Sequence, residues 1–134
     1  MNLPKIGLLI CNSGSSNSGN LTGIAALEVV RESDTGQLGI CSLPALANEI
    51  PRQVLTVKNL EHLIIVDGCR NSCAKKVAEK LSLSFDGYVN LENDLKIKKL
   101  GPFSTLVYSQ DQVNQVMEAI HEKIKQVIKG LIII

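Results

Sequence analysis

The chain has 134 residues, 45% of them hydrophobic, and its 14 basic and 13 acidic side chains leave a formal net charge of +1. This length fits one domain over residues 1–134, with enough apolar side chains to form a core without help from a metal. Nucleic-acid binding is not expected, because it relies on an excess of Lys and Arg and on aromatic stacking, whereas this chain has no Trp, two Phe and two Tyr.

The first predicted element is a strand over residues 5–10, a short apolar run that ends at Cys11. Residues 12–20 are rich in Asn, Ser and Gly and therefore predict a turn. Asn20 is the expected N-cap of a helix over residues 21–31. That helix is apolar on nearly all sides, which suits burial against a sheet.

A second short strand is predicted over residues 37–40, and it also ends at a cysteine, Cys41. Residues 43–50 predict a short helix, because a proline is tolerated in its first turn and Pro51 would end it. Residues 54–60 are interpreted as a connecting segment with some helical character.

The most strand-like segment is residues 62–66, a continuous apolar run rich in β-branched side chains. Such a run is typical of a parallel strand that is covered on both faces. It leads directly into the tripeptide at residues 67–69, Asp-Gly-Cys. A helix is predicted over residues 72–81, because its apolar side chains fall on one face and its Lys and Glu side chains on the other.

Three more elements are predicted towards the C-terminus: a strand over residues 88–91, an edge strand or packed loop over 104–108, and a long helix over 111–129. Strands that alternate with helices predict an α/β fold. We expect a single three-layer Rossmann-like domain with a short, mostly parallel sheet. Strand order 2-1-3-4 is favoured, and order 3-2-1-4 is the alternative.

The four cysteines share a position relative to these elements. Cys11, Cys41 and Cys69 each follow a predicted strand, and Cys73 lies one helical turn after Cys69. The carboxyl ends of parallel strands meet at one edge of the sheet, where α/β proteins bind their ligands. We therefore expect the four thiols to meet at this edge.

Four thiolates form the preferred tetrahedral cage of structural zinc, so the sequence predicts a zinc site. An iron–sulfur cluster or thiol-redox chemistry is the alternative, because both also use several cysteines. Isolated cysteines can also serve as small core residues. The spacing C-x3-C alone is a weak signal, and the prediction depends on all four positions together.

Four segments of the chain resemble the DGC-domain family, whose members are proposed to bind zinc. In chain order they read CNSGSSNSG at residues 11–19, CSLPAL at 41–46, VDGCRNSCAKK at 66–76 and DLKIKK at 94–99. The resemblance implies zinc bound by Cys11, Cys41, Cys69 and Cys73, and it brings no established activity. One departure is Pro44, in a loop that tends to be glycine-rich in the family.

Asp67 and Gly68 are expected to shape the loop that carries Cys69. Glycine permits a positive φ or a close approach of two backbone segments. The Asp67 carboxylate can accept backbone N–H bonds that brace the loop, and in this way it would support the ligands without binding the metal.

An enzyme with a cysteine nucleophile is a less favoured hypothesis. A strand, a cysteine and a Ser/Gly loop before a helix are similar to the low-molecular-weight tyrosine phosphatases, which require C-x5-R. Position 17 of this chain carries Asn where that motif has its arginine. Without the guanidinium group, phosphoryl transfer lacks its main electrostatic stabilisation. Whether the protein is an enzyme is left open.

Location and partners follow from the same features. The apolar runs at residues 6–10 and 131–134 are much shorter than the ~20 residues that cross a bilayer. We expect a cytoplasmic protein without membrane contact, and in that reducing compartment its cysteines indicate metal or redox chemistry. The partner is expected to be a small molecule or a protein, and a homo-oligomer is compatible with the sequence.

Overall fold

A computed structural model describes residues 4–33 and 36–132. Within these residues the chain forms a four-stranded parallel sheet in the order β2-β1-β3-β4. The strands are β1 (Ile6–Ile10), β2 (Leu38–Ile40), β3 (His62–Asp67) and β4 (Gly87–Asn90). The predicted α/β fold and the favoured strand order are therefore confirmed, and order 3-2-1-4 is wrong.

Six helices surround the sheet in the described part of the chain. They are α1 (Asn17–Ser33), α2 (Leu43–Ala47), α3 (Pro51–Lys58), α4 (Cys73–Lys80), α5 (Leu91–Leu95) and α6 (Gln110–Ile132). Helices α1 and α6 pack on one face of the sheet, and α2, α3 and α4 pack on the other. This arrangement gives the expected three layers.

Strand β1 lies at the centre of the sheet and is covered on both faces. Leu8 and Leu9 are both fully buried, yet Leu8 belongs to the core beneath α1 and α6, and Leu9 to the core beneath α2, α3 and α4. Successive side chains of a strand point to opposite faces. This is why the strand reads as a continuous apolar run, not as an alternating one.

The backbone hydrogen bonds of the sheet continue one residue beyond the ends of β1 and β2. The Cys11 N–H donates to the Val66 carbonyl at 2.9 Å, and the Cys41 N–H donates to the Leu8 carbonyl at 2.9 Å. Both cysteines are therefore fixed by their backbones to the same edge of the sheet.

Helix α1 begins earlier than predicted, at Asn17, so Asn20 is not its N-cap. The Ser16 hydroxyl accepts the Gly19 N–H at 3.1 Å, which is the bond expected of an N-cap side chain. The Asn17 N–H donates to the hydroxyl of Ser104 at 3.0 Å. Several residues in this Ser/Asn-rich stretch can cap a helix. The one that does is Ser16, and the residue after it contacts Ser104, which is 87 positions further along the chain from Asn17.

The segment after Cys41 folds as two helices where one was expected. Helix α2 ends at Ala47, and Glu49 adopts a positive φ of 55° that turns the chain. Pro51 was predicted to end a helix, and this prediction is wrong. It occupies the first turn of the next helix, α3. Its fixed φ and missing N–H suit that position. The connecting segment predicted at residues 54–60 is therefore largely helical.

Towards the C-terminus, β4 ends at Asn90, whose side chain accepts the N–H groups of Glu92 and Asn93 and caps the short helix α5. The strand predicted at residues 88–91 therefore ends one residue early, because Leu91 is the first residue of α5. Residues 104–108 form a turn and a loop and not an edge strand, and they pack only in part, because Ser104 is buried whereas Leu106 is 81% exposed. Within residues 4–33 and 36–132, no helix has both the length and the apolar character needed to cross a membrane.

Candidate metal centre

Three of the four cysteines line one cavity at the carboxyl edge of the sheet. Cys11, Cys41 and Cys73 face this space of about 490 Å³, which lies between the ends of β1 and β2 and the beginnings of α2 and α4. The apolar part of its wall is formed by Ile10, Ile40, Leu43, Pro44, Ala47 and Val77. The parallel topology thus brings together cysteines that are up to 62 positions apart in the sequence.

Cys11 is half-buried, and two backbone N–H groups near its sulfur lower the pKa of the thiol. These are the N–H groups of Ser13 and Gly68, which follow the ends of β1 and β3. Burial raises the pKa of the Cys11 thiol, and the negative charges of Asp67 and Cys73 raise it further, against the lowering effect of the two N–H groups. The thiol is therefore protonated at neutral pH in the absence of a metal.

Cys41 points its sulfur towards the sheet. An ideal Cβ on Gly7 would lie 2.9 Å from the Cys41 sulfur, so the absence of a side chain at position 7 makes room for the thiol. Cys41 also packs against the core that contains Leu9 and Leu46. Burial raises the pKa of the Cys41 thiol to about 11.

Cys73 is the first residue of α4 and is exposed. The first turn of this helix does not offer its N–H groups to a thiolate, because the Asp67 carboxylate accepts those of Ala74 at 2.8 Å and Lys75 at 3.1 Å. Asp67 is 1% exposed, and it lies at 3.0 Å from the hydroxyl of Tyr88 as well. The expected bracing bonds of Asp67 are therefore present, and they connect the end of β3 to the start of α4.

Cys69 lies apart from this group and is not among the residues that line the cavity. The side-chain amide of Asn90 donates to the Cys69 carbonyl at 2.9 Å. The neighbouring Arg70 binds Glu92 through its backbone N–H at 2.9 Å and its Nε at 3.3 Å. These bonds fasten the turn after β3 towards β4, whereas Cys11 and Cys41 follow β1 and β2.

Gly68 allows a close approach of two backbone segments, one of the two roles expected for it. An ideal Cβ at this position would lie 2.8 Å from the Gly19 nitrogen and from the carbonyl carbon and oxygen of Ser18. Its φ is not positive. The Asp-Gly-Cys turn therefore rests directly on the first turn of α1.

The donor atoms have the chemistry of a zinc site, but their present spacing is wider than a bound ion requires. Among residues 4–33 and 36–132, no group of three or more His, Cys, Asp or Glu side chains is placed closely enough to hold a metal ion. Thiolates at ~2.3 Å from zinc would lie ~3.8 Å from one another. Binding would therefore have to draw the thiols together.

Arg70, Lys75 and Lys76 lie near the cysteines in sequence and could offset thiolate charge, but two of them are engaged elsewhere. Arg70 pairs with Glu92, and the Lys75 ammonium lies 4.9 Å from the centre of the Tyr88 ring. Lys76 is exposed on α4.

Sequence reasoning missed Tyr88, Asn90 and Glu92, which hold the Asp-Gly-Cys turn in place. One signal could have identified Asn90, because it is a polar residue near the end of a predicted strand, like the cysteines.

The sequence analysis considered Asn17 only as the residue that stands where the phosphatase motif has its arginine. It is in fact 1% exposed and binds the Lys98 carbonyl and the Leu100 N–H, which fixes the loop after α5.

Asp67→Asn is expected to destabilise the fold by about 1–2 kcal/mol, because an amide nitrogen cannot accept the second helix N–H and the negative charge near the α4 N-terminus is lost. The free energy of unfolding, measured in urea on the reduced, metal-free protein, checks this. The control Asp111→Asn removes a solvent-exposed carboxylate from the first turn of α6 and should cost ~0.3 kcal/mol. Equal costs for the two variants would contradict the bracing role.

Alkylation of the metal-free protein is expected to modify Cys73 first and Cys41 last. Only the thiolate reacts, and a raised pKa means a smaller thiolate fraction at every pH below that value. The rate at Cys41 should therefore keep rising as the pH approaches about 11. Iodoacetamide labelling over a pH series, followed by peptide mass spectrometry, measures these rates. Similar rates at Cys41 and Cys73 at neutral pH would contradict the burial of the Cys41 thiol.

Comparison with known proteins gives one match. The family model described as DGC domain matches residues 8–120, which is most of the chain. No curated protein and no solved structure matches.

Proposed function

This chain belongs to the DGC domain family, and on that premise we propose that it is a zinc-binding protein whose ion is held by Cys11, Cys41, Cys69 and Cys73. The observation that carries the proposal is the common cavity of Cys11, Cys41 and Cys73 at the carboxyl edge of the sheet. These three cysteines come from three separate chain segments and line one space there.

Cys69 is the fourth ligand in this proposal, although it does not line the cavity. The turn that carries it is short and adjoins Cys73, so a shift of this turn towards β1 would bring its sulfur to the others. The bonds from Asn90 and Glu92 oppose that shift. Cys41 must also turn away from Gly7. Zinc binding therefore costs two local rearrangements, which the formation of zinc–sulfur bonds would offset.

Four thiolates close the tetrahedron and leave no position for an activated water. The ion would therefore stabilise or regulate the edge of the sheet without hydrolysing a substrate. The chain supplies the backbone N–H groups of Ser13 and Gly68, which lower the pKa of the Cys11 thiol and would stabilise its negative charge.

Metal analysis of untagged protein, purified under reducing conditions without added metal, tests the proposal. We expect about one zinc per chain, and a loss of zinc in each of the four Cys→Ala variants. Ser15→Ala, an exposed position in the same loop as Cys11, is the matched control and should retain zinc. Full zinc content in Cys41→Ala would remove that residue from the site. Iron together with visible absorption would favour the iron–sulfur alternative.

A further inference from the structure

The space between the thiols is much larger than a metal ion needs. Its volume of about 490 Å³ lies within the range of small-molecule pockets, which is roughly 300–1,000 Å³. In the wide arrangement that the structure shows, the thiols form part of the wall of this cavity and do not converge on one point. Three of the four proposed zinc ligands thus also line this cavity, so drawing their thiols together around an ion would change its wall.

The wall of the cavity restricts the chemistry of a ligand. It contains no Asp, Glu, Lys, Arg or His among the described residues, so it offers no counter-ion to a charged compound. Burial of an unpaired charge is costly, which disfavours nucleotides, sugar phosphates and carboxylates. The polar residues on the wall, other than the cysteines, are Asn12 and Ser42. They can bind one neutral hydroxyl or amide group.

The sulfur atoms favour an aromatic ring. Cys11, Cys41 and Cys73 line the cavity next to branched apolar side chains such as Leu43 and Val77. Sulfur is polarisable and makes favourable contacts with ring edges at ~5 Å. A flat ring with one neutral polar group would fit this combination of wall atoms.

We propose that the cavity binds a small, uncharged aromatic molecule, and that this molecule and zinc exclude each other. This inference rests on the proposed function, because zinc would have to draw together the same thiols that the ligand holds apart. Cys41 beside Gly7 and Cys69 fastened to Asn90 belong to the ligand-accepting arrangement. Zinc and ligand thus select different arrangements of one site, and each lowers the apparent affinity of the other.

The first test uses 2-naphthol as the probe with reduced, zinc-free protein. Calorimetry should show saturable binding, about three- to tenfold tighter than that of decahydro-2-naphthol, which lacks the aromatic ring. The charged 2-naphthoate should bind at least about a hundredfold more weakly. Equal binding of all three compounds, or no saturable binding of 2-naphthol, would overturn the proposal.

Val77→Phe locates the bound probe, because a larger side chain at this position fills the cavity from α4. It should weaken 2-naphthol binding at least about tenfold. The control Leu55→Phe changes a side chain that is 60% exposed and lies outside the cavity, and it should leave the affinity unchanged. Circular dichroism of both variants verifies that they are folded. Unchanged affinity in a folded Val77→Phe variant would overturn the assignment to this cavity.

The second test measures zinc affinity with a competing chelator, in the presence and absence of 2-naphthol. At a probe concentration ten times its dissociation constant, mutual exclusion predicts that the apparent zinc dissociation constant rises about tenfold. An unchanged zinc affinity at saturating probe would overturn the exclusion. A protein that binds 2-naphthol but never binds zinc would overturn the proposed function. Failure of the mutual exclusion can thus be distinguished from failure of the proposed zinc binding.

Discussion

Cys11→Ala is expected to weaken zinc binding by roughly a hundredfold to a thousandfold. Structural zinc sites bind with about 10–16 kcal/mol, so an equal share for one of four thiolates is about 2.5–4 kcal/mol, which corresponds to that factor. Cys11 is the central ligand of the proposed site, because it follows β1, which lies between β2 and β3, and the N–H groups of Ser13 and Gly68 lower the pKa of its thiol. A competing chelator with a spectroscopic signal measures the affinity.

The same measurement on Ser15→Ala is the control for Cys11→Ala, and its affinity should equal that of the wild type. Thermal unfolding of the metal-free forms shows whether either substitution disturbs the fold itself. A Cys11→Ala variant that folds normally and binds zinc as tightly as the wild type would contradict the role of Cys11.

Gly68→Ala is expected to lower the free energy of unfolding by about 3 kcal/mol, at the upper end of the usual cost of overpacking. The added methyl group would lie 2.8 Å from backbone atoms of Ser18 and Gly19. Backbone atoms in the first turn of a buried helix cannot turn aside as a flexible side chain can. The turn after β3 and the start of α1 would have to separate, and this would also displace the Cys11 sulfur from the Gly68 N–H.

Gly14→Ala is the matched control for Gly68→Ala. An added Cβ at Gly14 would meet no atom within 4 Å, and the φ of this residue is not positive. The free energy of unfolding should therefore change by no more than about 0.5–1 kcal/mol, and in the stabilising direction. Urea denaturation of both variants makes the comparison. Equal stability of Gly68→Ala and Gly14→Ala would contradict the close packing of the Asp-Gly-Cys turn on α1.

Much of the fold could be predicted from sequence because its strands and long helices carry strong patterns. The run at residues 62–66 is apolar on both faces, and the helix over 111–129 has a clear three- and four-residue spacing. Element boundaries were harder to predict. Helix α1 begins at Asn17, where its first N–H binds Ser104, and such a distant contact leaves no local signal.

The candidate site was predicted in part for the same physical reason. Parallel strands place their carboxyl ends at one edge, so the position of a cysteine after a strand indicates where its backbone lies. It does not indicate where the sulfur points. Gly7 accommodates the Cys41 thiol, and Asn90 holds the turn that carries Cys69. In both cases the deciding residue lies on a neighbouring strand. Which residues of two strands lie side by side can be told only when the register of the sheet is known.

X-ray absorption at the zinc edge, on the reduced wild-type protein loaded with one equivalent of zinc, tests the central claim most directly. The account predicts a shell of four sulfur atoms at ~2.3 Å from the ion. A first shell of nitrogen or oxygen atoms at ~2.0–2.1 Å, without sulfur, would contradict it.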